Sequence, residues 1–322
     1  MTTGLKLAIV GATGEVGRAV LAMIEERELP LAALHVLASA ASAEETLLYK
    51  NRPLLVGDLG EFDFAKVDVA IFAAPAAVAE AFVPRARKAG CRVIDHSAAF
   101  RLAGDVPLLI EGMPVPEADL VACPGALAAL LAPVLNRLHD IRSVQVTLLS
   151  PVSAAGRAGV RELAGQTGEL LNGRGIEPAV FPAQIAFNAL PLAEPLSGAL
   201  MDELERLLPL AFPVAVAAVR VPVFYGLTLA VSVQTEAPVS LDGLRQALLA
   251  AGVREADSDS GQGLATPVTE ASGQDGICLA SLQALPAPLE GVQLWLVGDN
   301  VRQGGARHSV YILEKWIKDF KY

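Results

Sequence analysis

The chain has 322 residues, of which 53% are hydrophobic and 19% charged, and its net charge at neutral pH is −10. This length exceeds what a single core usually reaches, so we expect two domains. An acidic balance without a basic cluster argues against nucleic acid as a partner. No apolar run of about 18 residues predicts a membrane span. Because the N-terminus passes straight into a strand and a glycine motif, without signal-peptide features, we expect a cytoplasmic protein.

The cysteines and histidines give no metal-binding pattern. Three cysteines, Cys91, Cys123 and Cys278, are widely spaced and form no CxxC pair. Neither a disulfide framework nor a zinc site is therefore predicted. The four histidines also lack metal-ligand spacing with the acidic residues. We expect no metal.

The first predicted strand, residues 5–10, leads directly into a glycine turn and an amphipathic helix. The glycines of this turn have GxxGxxG spacing. Glycine permits a tight turn and lets a pyrophosphate approach the N–H groups at a helix start. Strand, turn and helix together predict a dinucleotide site, although a glycine turn that only packs is the alternative. The predicted cofactor-binding residues of this segment are Gly11, Thr13, Gly14, Glu15, Val16 and Gly17.

The second predicted strand, residues 34–40, lies where a dinucleotide site contacts the adenosine ribose. Ser39 and Ser42 offer hydroxyl groups there, and Ser39 is a predicted cofactor contact. Glu44 and Glu45 follow without a nearby Arg or Lys, and they would repel a 2′-phosphate. If a cofactor binds, the residues favour NAD over NADP, or weak binding of either.

Two further strands, at 67–74 and 91–98, flank a helical segment over 76–90. The alternation of strand and helix is typical of a parallel sheet covered by helices. We therefore predict an α/β fold with a Rossmann-like doubly wound domain.

Several segments, in order along the chain, resemble the aspartate-semialdehyde dehydrogenase family. They are GATGEVG, LASAASA, VIDHSAAFRLAGDVPLLIEG, SAAGRAGVREL, FPAQIAFNALP, RVPVFYG, TPVTEASG and GDNVRQGGARHSV. The resemblance implies a Rossmann-like domain over 1–128 and 303–322, to which the last helix returns, and a C-terminal α+β dimerisation domain over 129–302. It also implies a homodimer that reductively dephosphorylates aspartyl phosphate to aspartate semialdehyde with NADPH.

Several positions depart from the family's catalytic pattern. The family's nucleophilic cysteine lies in an N-P-N-C-S-T stretch, and alignment through the proline puts Ala126 at its position. Cys123 falls three residues early. The proton-shuttling histidine aligns with Leu227, the acyl-orienting glutamine with Ser150, and an expected asparagine with Met113. In these vacant positions the chain resembles the usg-type paralogues, which lack the catalytic cysteine.

Other family features remain. Arg220 aligns with the carboxylate-binding arginine and Arg101 with a phosphate-binding arginine. The loop over 299–304 keeps the residues that close over the cofactor in relatives, with Asn300 as the predicted contact. Against this, Ala74-Pro75 replaces a glycine pair of the family, and the proline removes an N–H donor. The lysine-containing segment for substrate phosphate is also shortened.

Alternative roles remain open for three residues. Cys123 as a replacement nucleophile is disfavoured because Pro124 biases it toward extended backbone, so a buried thiol is the better interpretation. His96 lies at the end of a predicted parallel strand, where it is either an acid or base or a hydrogen-bonded loop residue. Arg220 in an apolar strand requires a bound anion or a buried ion pair.

Two functions follow from these observations. The first is a non-catalytic homodimer that keeps a site for a nucleotide or small anion, or that associates with another protein. The second is an NAD(P)-dependent oxidoreductase acting on an aldehyde or oxo group by altered chemistry, such as direct hydride transfer. Whether NAD or NADP binds, and whether turnover accompanies binding, separates the two.

Overall fold

The computed structural model describes residues 4–193, 195–209, 212–256 and 264–319. The chain forms two compact units, Met1–Gly125 with Gly305–Tyr322, and Ala126–Gly304. Each unit is built on one seven-stranded sheet. The predicted fold class, a Rossmann-like domain followed by an α+β domain, is confirmed. No helix in the described ranges has the length and apolar character needed to cross a bilayer.

The first unit contains a mostly parallel sheet with the order β3-β4-β2-β1-β5-β6-β7. Its strands and helices are β1 (Leu5–Val10), α1 (Glu15–Glu26), β2 (Leu31–Ala38), β3 (Thr46–Tyr49), β4 (Arg52–Asp58), β5 (Val69–Phe72), α2 (Ala76–Lys88), β6 (Arg92–Asp95), β7 (Leu120–Ala122) and α7 (Arg307–Asp319). Only the β3–β4 pair is antiparallel among these neighbours. The chain starts in the middle at β1, builds outward through β2, and returns to the other side of β1 at β5. The doubly wound topology therefore has its switch point between β1 and β5.

The β3–β4 hairpin is absent from the sequence-based prediction. Lys50 and Asn51 close it with φ angles of 52° and 57°. Residues other than glycine rarely adopt this left-handed region. Here lysine and asparagine occupy it, so no glycine marks the turn in the sequence. The hairpin matters for the site because β4 pairs with β2 and brings Asp58 opposite Ala38.

The core of the first unit includes the last helix of the chain. Trp316 in α7 is 1% exposed and belongs to the same cluster as Ile9 of β1 and Ile24 of α1. At the rim, Arg27 forms an ion pair with Glu314 at 2.8 Å. Burial of an amphipathic helix face against the sheet is what stabilises such a helix in a globular domain.

The second unit contains a mixed sheet with the order β12-β13-β14-β11-β8-β10-β9. Its elements are α3 (Ala126–Leu135), β8 (Ile141–Ser150), α4 (Gly156–Leu171), β9 (Leu190–Pro191), α5 (Leu196–Leu207), β10 (Val214–Arg220), β11 (Leu227–Thr235), α6 (Leu241–Ala250), β12 (Arg254–Glu255), β13 (Ile277–Ala284) and β14 (Gly291–Gly298). Strand β11 alternates buried residues such as Leu229 and Val231 with less buried Ala230 and Ser232. One face of the sheet is therefore core, as in sheets with one solvated face.

The opposite face of this sheet, here called the open sheet face, carries uncharged residues that lie side by side across five strands. They are Gln145, Thr147, Ala215, Ala217, Ala230, Ser232, Ser281, Gln283, Gln293 and Trp295. The largest of them, Trp295, is 38% exposed. These ten residues contribute nothing to the chain's net charge of −10.

Candidate functional site

A cavity of about 520 Å³ opens at the carboxyl edge of the first unit's sheet. Its walls come from the ends of β1, β2, β4 and β5 and from α2. This is the topological switch point of the sheet, where open α/β sheets bind their ligands. Of the predicted cofactor residues, Gly11, Thr13, Gly14 and Ser39 line the cavity. The remaining three of the glycine segment, Glu15, Val16 and Gly17, form the first turn of α1.

The glycine turn brings bare backbone to the cavity wall. Gly11 has a φ of +80°, and a Cβ there would lie 2.2 Å from the carbonyl oxygen of Ala73. A Cβ on Gly17 would lie 2.3 Å from the carbonyl oxygen of Gly11. Gly14 precedes α1 without any side-chain cap, so the first N–H groups of the helix are not capped by it. A helix start that follows a glycine turn is where doubly wound folds hold the pyrophosphate of a dinucleotide.

The replacement of the family's glycine pair by Ala74-Pro75 does not close the cavity. Both residues line it. Pro75 has a φ of −57° and immediately precedes α2, where the loss of its N–H is tolerated. The apolar side chains of Val78 and Phe82 follow on α2 and contribute to the same wall.

Glu44 and Glu45, which we predicted to repel a 2′-phosphate, do not line the cavity. After Ser39 a short turn leads the chain toward β3, and Glu44 and Glu45 directly precede that strand. Arg18 lies 3.8 Å from Glu45, so the prediction that no arginine is near was wrong. The acidic residue that does line the cavity is Asp58.

Arg101, aligned with a phosphate-binding arginine, donates to the chain's own backbone. Its Nε donates to the carbonyl of Cys123 at 3.0 Å, and its Nη2 to that of His96 at 2.6 Å. These carbonyls directly follow β7 and β6. Arg101 therefore ties two strand ends together.

His96 and Cys123, whose backbone carbonyls accept from Arg101, are both uncharged at physiological pH. Burial, together with His308 and Arg101, lowers the pKa of His96 to about 3. His96 is therefore neutral at physiological pH and does not act there as an imidazolium acid. Cys123 is 0% exposed, which confirms its interpretation as a buried thiol. Burial and nearby Asp95 raise its pKa far above the usual value, so it carries no thiolate.

The positions aligned with the family's nucleophile and proton shuttle lie in the second unit and hold only hydrocarbon. Ala126 is the first residue of α3. A Cβ on Gly304 would lie 2.5 Å from its Cβ, so the Gly304 backbone packs directly against Ala126. Leu227 opens β11 opposite Gly298 and is 4% exposed. Neither side chain can donate, accept or attack.

Arg220, aligned with the carboxylate-binding arginine, also binds its own chain. Its Nη1 donates to the hydroxyl of Ser150 at 2.8 Å and to the carbonyl of Pro151 at 2.7 Å. Ser150, which stands at the family's glutamine position, is 3% exposed. These bonds connect the ends of the paired strands β8 and β10.

Asn300 and its neighbour Asp299 form a hydrogen-bond network that the sequence did not reveal. Asn300 Oδ1 accepts from Ser153 Oγ at 3.1 Å and from the Gly226 N–H at 3.0 Å. The carboxylate of Asp299 accepts from the N–H groups of Val301, Arg302 and Gly273 at 2.7–2.9 Å. The loop over 299–304 is thereby fixed within the second unit.

Met113, where the family has an asparagine, packs against the core of the first unit. Its carbonyl accepts from the Tyr311 hydroxyl at 2.9 Å. Within the described part of the chain, no group of three or more His, Cys, Asp or Glu is placed to hold a metal ion.

Comparison with known proteins identifies both units. Residues 6–118 match the model of the semialdehyde dehydrogenase NAD binding domain, and residues 131–303 that of the semialdehyde dehydrogenase dimerisation domain. An aspartate-semialdehyde dehydrogenase of Legionella pneumophila is 35% identical, over 99% of this chain and 98% of that protein. A USG-1 protein homolog of Pseudomonas aeruginosa is 39% identical, over 99% of this chain and 100% of that protein.

Solved structures agree. The crystal structure of aspartate semialdehyde dehydrogenase II from Vibrio cholerae, complexed with ASA, matches with a TM-score of 0.91 and 33% identity, over 99% of this chain and 100% of that one. A probable aspartate-semialdehyde dehydrogenase from Pseudomonas aeruginosa matches with a TM-score of 0.90 and 37% identity, over 99% of this chain and 100% of that one. Sequence and fold together show that the chain belongs to the aspartate-semialdehyde dehydrogenase family.

Proposed function

We propose that this chain is a homodimer that binds a nicotinamide dinucleotide but does not perform the family's thiol-dependent reductive dephosphorylation. The observation that carries the proposal is Ala126 at the nucleophile's aligned position. An acyl-enzyme requires a nucleophilic atom, and an alanine methyl group has none. The buried, protonated thiol of Cys123 does not replace it.

The other aligned positions support the same conclusion. A proton shuttle needs a titratable group, whereas Leu227 is a buried hydrocarbon. Arg220 donates to Ser150 and Pro151, and Arg101 donates to two backbone carbonyls. Groups that would hold substrate carboxylate and phosphate are thus engaged in holding strand ends together.

Dinucleotide binding is supported by the cavity of the first unit. The match to an NAD binding domain covers residues 6–118. Gly11, Gly14 and the start of α1 would hold the pyrophosphate, and the apolar wall with Phe82 suits a planar base. When bound, a nicotinamide dinucleotide supplies a hydride donor or acceptor.

Homodimer formation is supported by the open sheet face of the second unit. The family model matched by residues 131–303 is a dimerisation domain. Two such faces can meet with small side chains and uncharged amides, without burying an unpaired charge. Trp295 gives each face one large aromatic anchor of the kind that dominates interface energies.

The catalytic part of the proposal is tested by assaying oxidation of aspartate semialdehyde in the presence of phosphate with NAD and with NADP, beside a relative that has the family's cysteine. We expect no turnover by this chain and micromolar-to-millimolar dinucleotide binding by calorimetry. Turnover above the no-enzyme rate would overturn the non-catalytic role. Absence of any dinucleotide binding at millimolar concentration would overturn the retained cofactor site.

The dimer is tested by sedimentation velocity of the wild type and of Trp295→Arg. We expect a dimer for the wild type and a concentration-dependent shift toward monomer in the variant, because an arginine on each face would be buried in the interface without a partner. Leu48→Arg is the matched control, since Leu48 is 70% exposed on β3 of the other unit. A monomeric wild type, or a variant that sediments like the wild type, contradicts this interface.

A further inference from the structure

We propose that Asp58 binds the adenosine ribose hydroxyls and makes the cavity of the first unit select NAD over NADP. The inference rests on the dinucleotide binding proposed above and names the group that decides between the two cofactors. Asp58 is the last residue of β4, a strand that the sequence-based prediction lacks.

The position of Asp58 follows from strand pairing. β4 lies beside β2, with Asp58 opposite Ala38, and Ser39 continues directly from Ala38. Asp58 and Ser39 both line the cavity. In doubly wound folds the ribose hydroxyls meet an acidic residue at this edge of the sheet, beyond the glycine turn. Here the neighbouring strand supplies the carboxylate, and the hydroxyl comes from the end of β2.

The Asp58 carboxylate is oriented by its own turn. Its Oδ1 accepts from the N–H of Gly60 at 2.8 Å. A carboxylate has more acceptor capacity than this one bond uses, so it can also accept from a ribose hydroxyl. Ser39 makes no side-chain capping bond in the short turn that follows it. A charged acceptor and a hydroxyl therefore stand together at the cavity wall.

The charge balance separates the two cofactors. Among the described residues that line the cavity, Asp58 is the only charged one. Arg18, the cation that follows the glycine turn, donates from Nε to the carbonyl of Thr13 and lies 3.8 Å from Glu45. A ribose 2′-hydroxyl can donate a charge-assisted hydrogen bond to the Asp58 carboxylate. A 2′-phosphate carries a charge of about −1.5 to −2 at neutral pH, and the Asp58 carboxylate would repel it.

Calorimetric titration of the full-length protein with NAD and with NADP tests the inference. We expect the wild type to bind NAD at least about tenfold more tightly than NADP, a ratio typical of one charged hydrogen bond. Asp58→Asn removes the charge but keeps an acceptor for Gly60, so it should weaken NAD, strengthen NADP and bring the ratio to about one. Glu61→Gln is the matched control, because Glu61 is exposed and does not line the cavity. It should keep the wild-type ratio.

The outcomes distinguish this inference from the function on which it rests. No binding of either dinucleotide to the folded wild type overturns both. Binding with a preference for NADP, or a ratio that Asp58→Asn leaves unchanged, overturns only the role of Asp58. A thermal denaturation midpoint is measured for each variant, and Asp58→Ser, which also keeps a hydroxyl acceptor for the turn, replaces Asp58→Asn if that variant is unfolded.

Discussion

Gly11 in the first unit and Gly304 in the second both bring bare backbone against a neighbouring segment, but what surrounds each contact differs. Gly11 touches Ala73 at the wall of a cavity of about 520 Å³. Gly304 packs against the methyl group of Ala126. A cavity of that size can enclose a ligand, whereas an alanine beside backbone offers only van der Waals contact. A close backbone contact at glycine therefore borders a ligand-sized cavity at Gly11, whereas at Gly304 it borders only an alanine side chain.

The polar groups show the same contrast. In the second unit Arg220 and Asn300 bond to their own chain, and these bonds hold strand ends and loops. In the first unit Arg101 also bonds to its own backbone, but Ser39 and Asp58 line the cavity. Under the proposed function, the first unit keeps its dinucleotide cavity, while the arginines aligned with substrate-binding positions hold the backbone of their own unit.

The largest effect that we predict comes from Gly11→Ala in the first unit. The new Cβ would lie 2.2 Å from the Ala73 carbonyl, at a φ of +80°. Strain and overpacking together should lower the free energy of unfolding by about 3 kcal/mol or more and abolish dinucleotide binding. Urea denaturation and calorimetry measure the two effects.

Gly165→Ala is the control for Gly11→Ala. Gly165 lies within α4, and a Cβ there meets nothing within 4 Å. The change should stabilise the protein by about 0.5–1 kcal/mol through helix propensity. If the two glycine substitutions had similar effects, the close approach at Gly11 would not be what requires glycine.

A smaller loss is expected for Asn300→Ala in the second unit. The change removes the acceptor shared by the Ser153 hydroxyl and the Gly226 N–H. Two buried donors without partners should cost about 2 kcal/mol of unfolding free energy. Asn172→Ala, which removes an exposed side-chain bond to the Gly168 carbonyl, should cost less than about 0.5 kcal/mol. Titrating folded Asn300→Ala with NAD reports separately on the predicted cofactor role of Asn300.

Thiol reactivity should distinguish the three buried native cysteines from a thiol added at position 126, with little change in stability. Burial raises the pKa of Cys91 to about 12 and those of Cys123 and Cys278 in the same direction. Because each thiol stays protonated below its raised pKa, the native protein should react slowly with a chromogenic disulfide up to pH 9. Ala126→Cys should add one fast-reacting thiol, because position 126 is partly exposed at a helix start. A fast thiol in the wild type would contradict the burial of all three cysteines.

What the sequence could predict depended on whether local residues decide the structure. The glycine turn of β1 and α1 was predicted because glycine spacing and strand–helix context act locally. The position of Asp58 was not, because Lys50 and Asn51 form a left-handed turn without glycine, and strand pairing then sets the neighbour. Strand β2 runs over Leu31–Ala38 and not over residues 34–40, a shift typical of boundaries read from apolar runs.

The site residues of the second unit show the other limit. Alignment with family motifs located Ala126, Ser150, Leu227 and Arg220 by number. It could not show that Arg220 donates to Ser150 and Pro151, because that pairing depends on β8 and β10 lying in register. The Asn300 network likewise joins segments that are distant along the chain. Such contacts are set by tertiary structure and have no local sequence signal.

The smallest predicted effect concerns catalysis by Ala126→Cys combined with Leu227→His. We expect no semialdehyde oxidation above the no-enzyme rate, because position 227 is 4% exposed and burial there would disfavour the imidazolium form that a proton shuttle must pass through. Arg220 would still donate to Ser150 and Pro151. Ala126→Cys alone controls for the new thiol, whose presence is verified by its reactivity. Measurable NADP- or NAD-dependent turnover by the double variant would show that only these two side chains separate the chain from its catalytic relatives. It would also show that Arg220 can exchange its bonds to Ser150 and Pro151 for bonds to substrate.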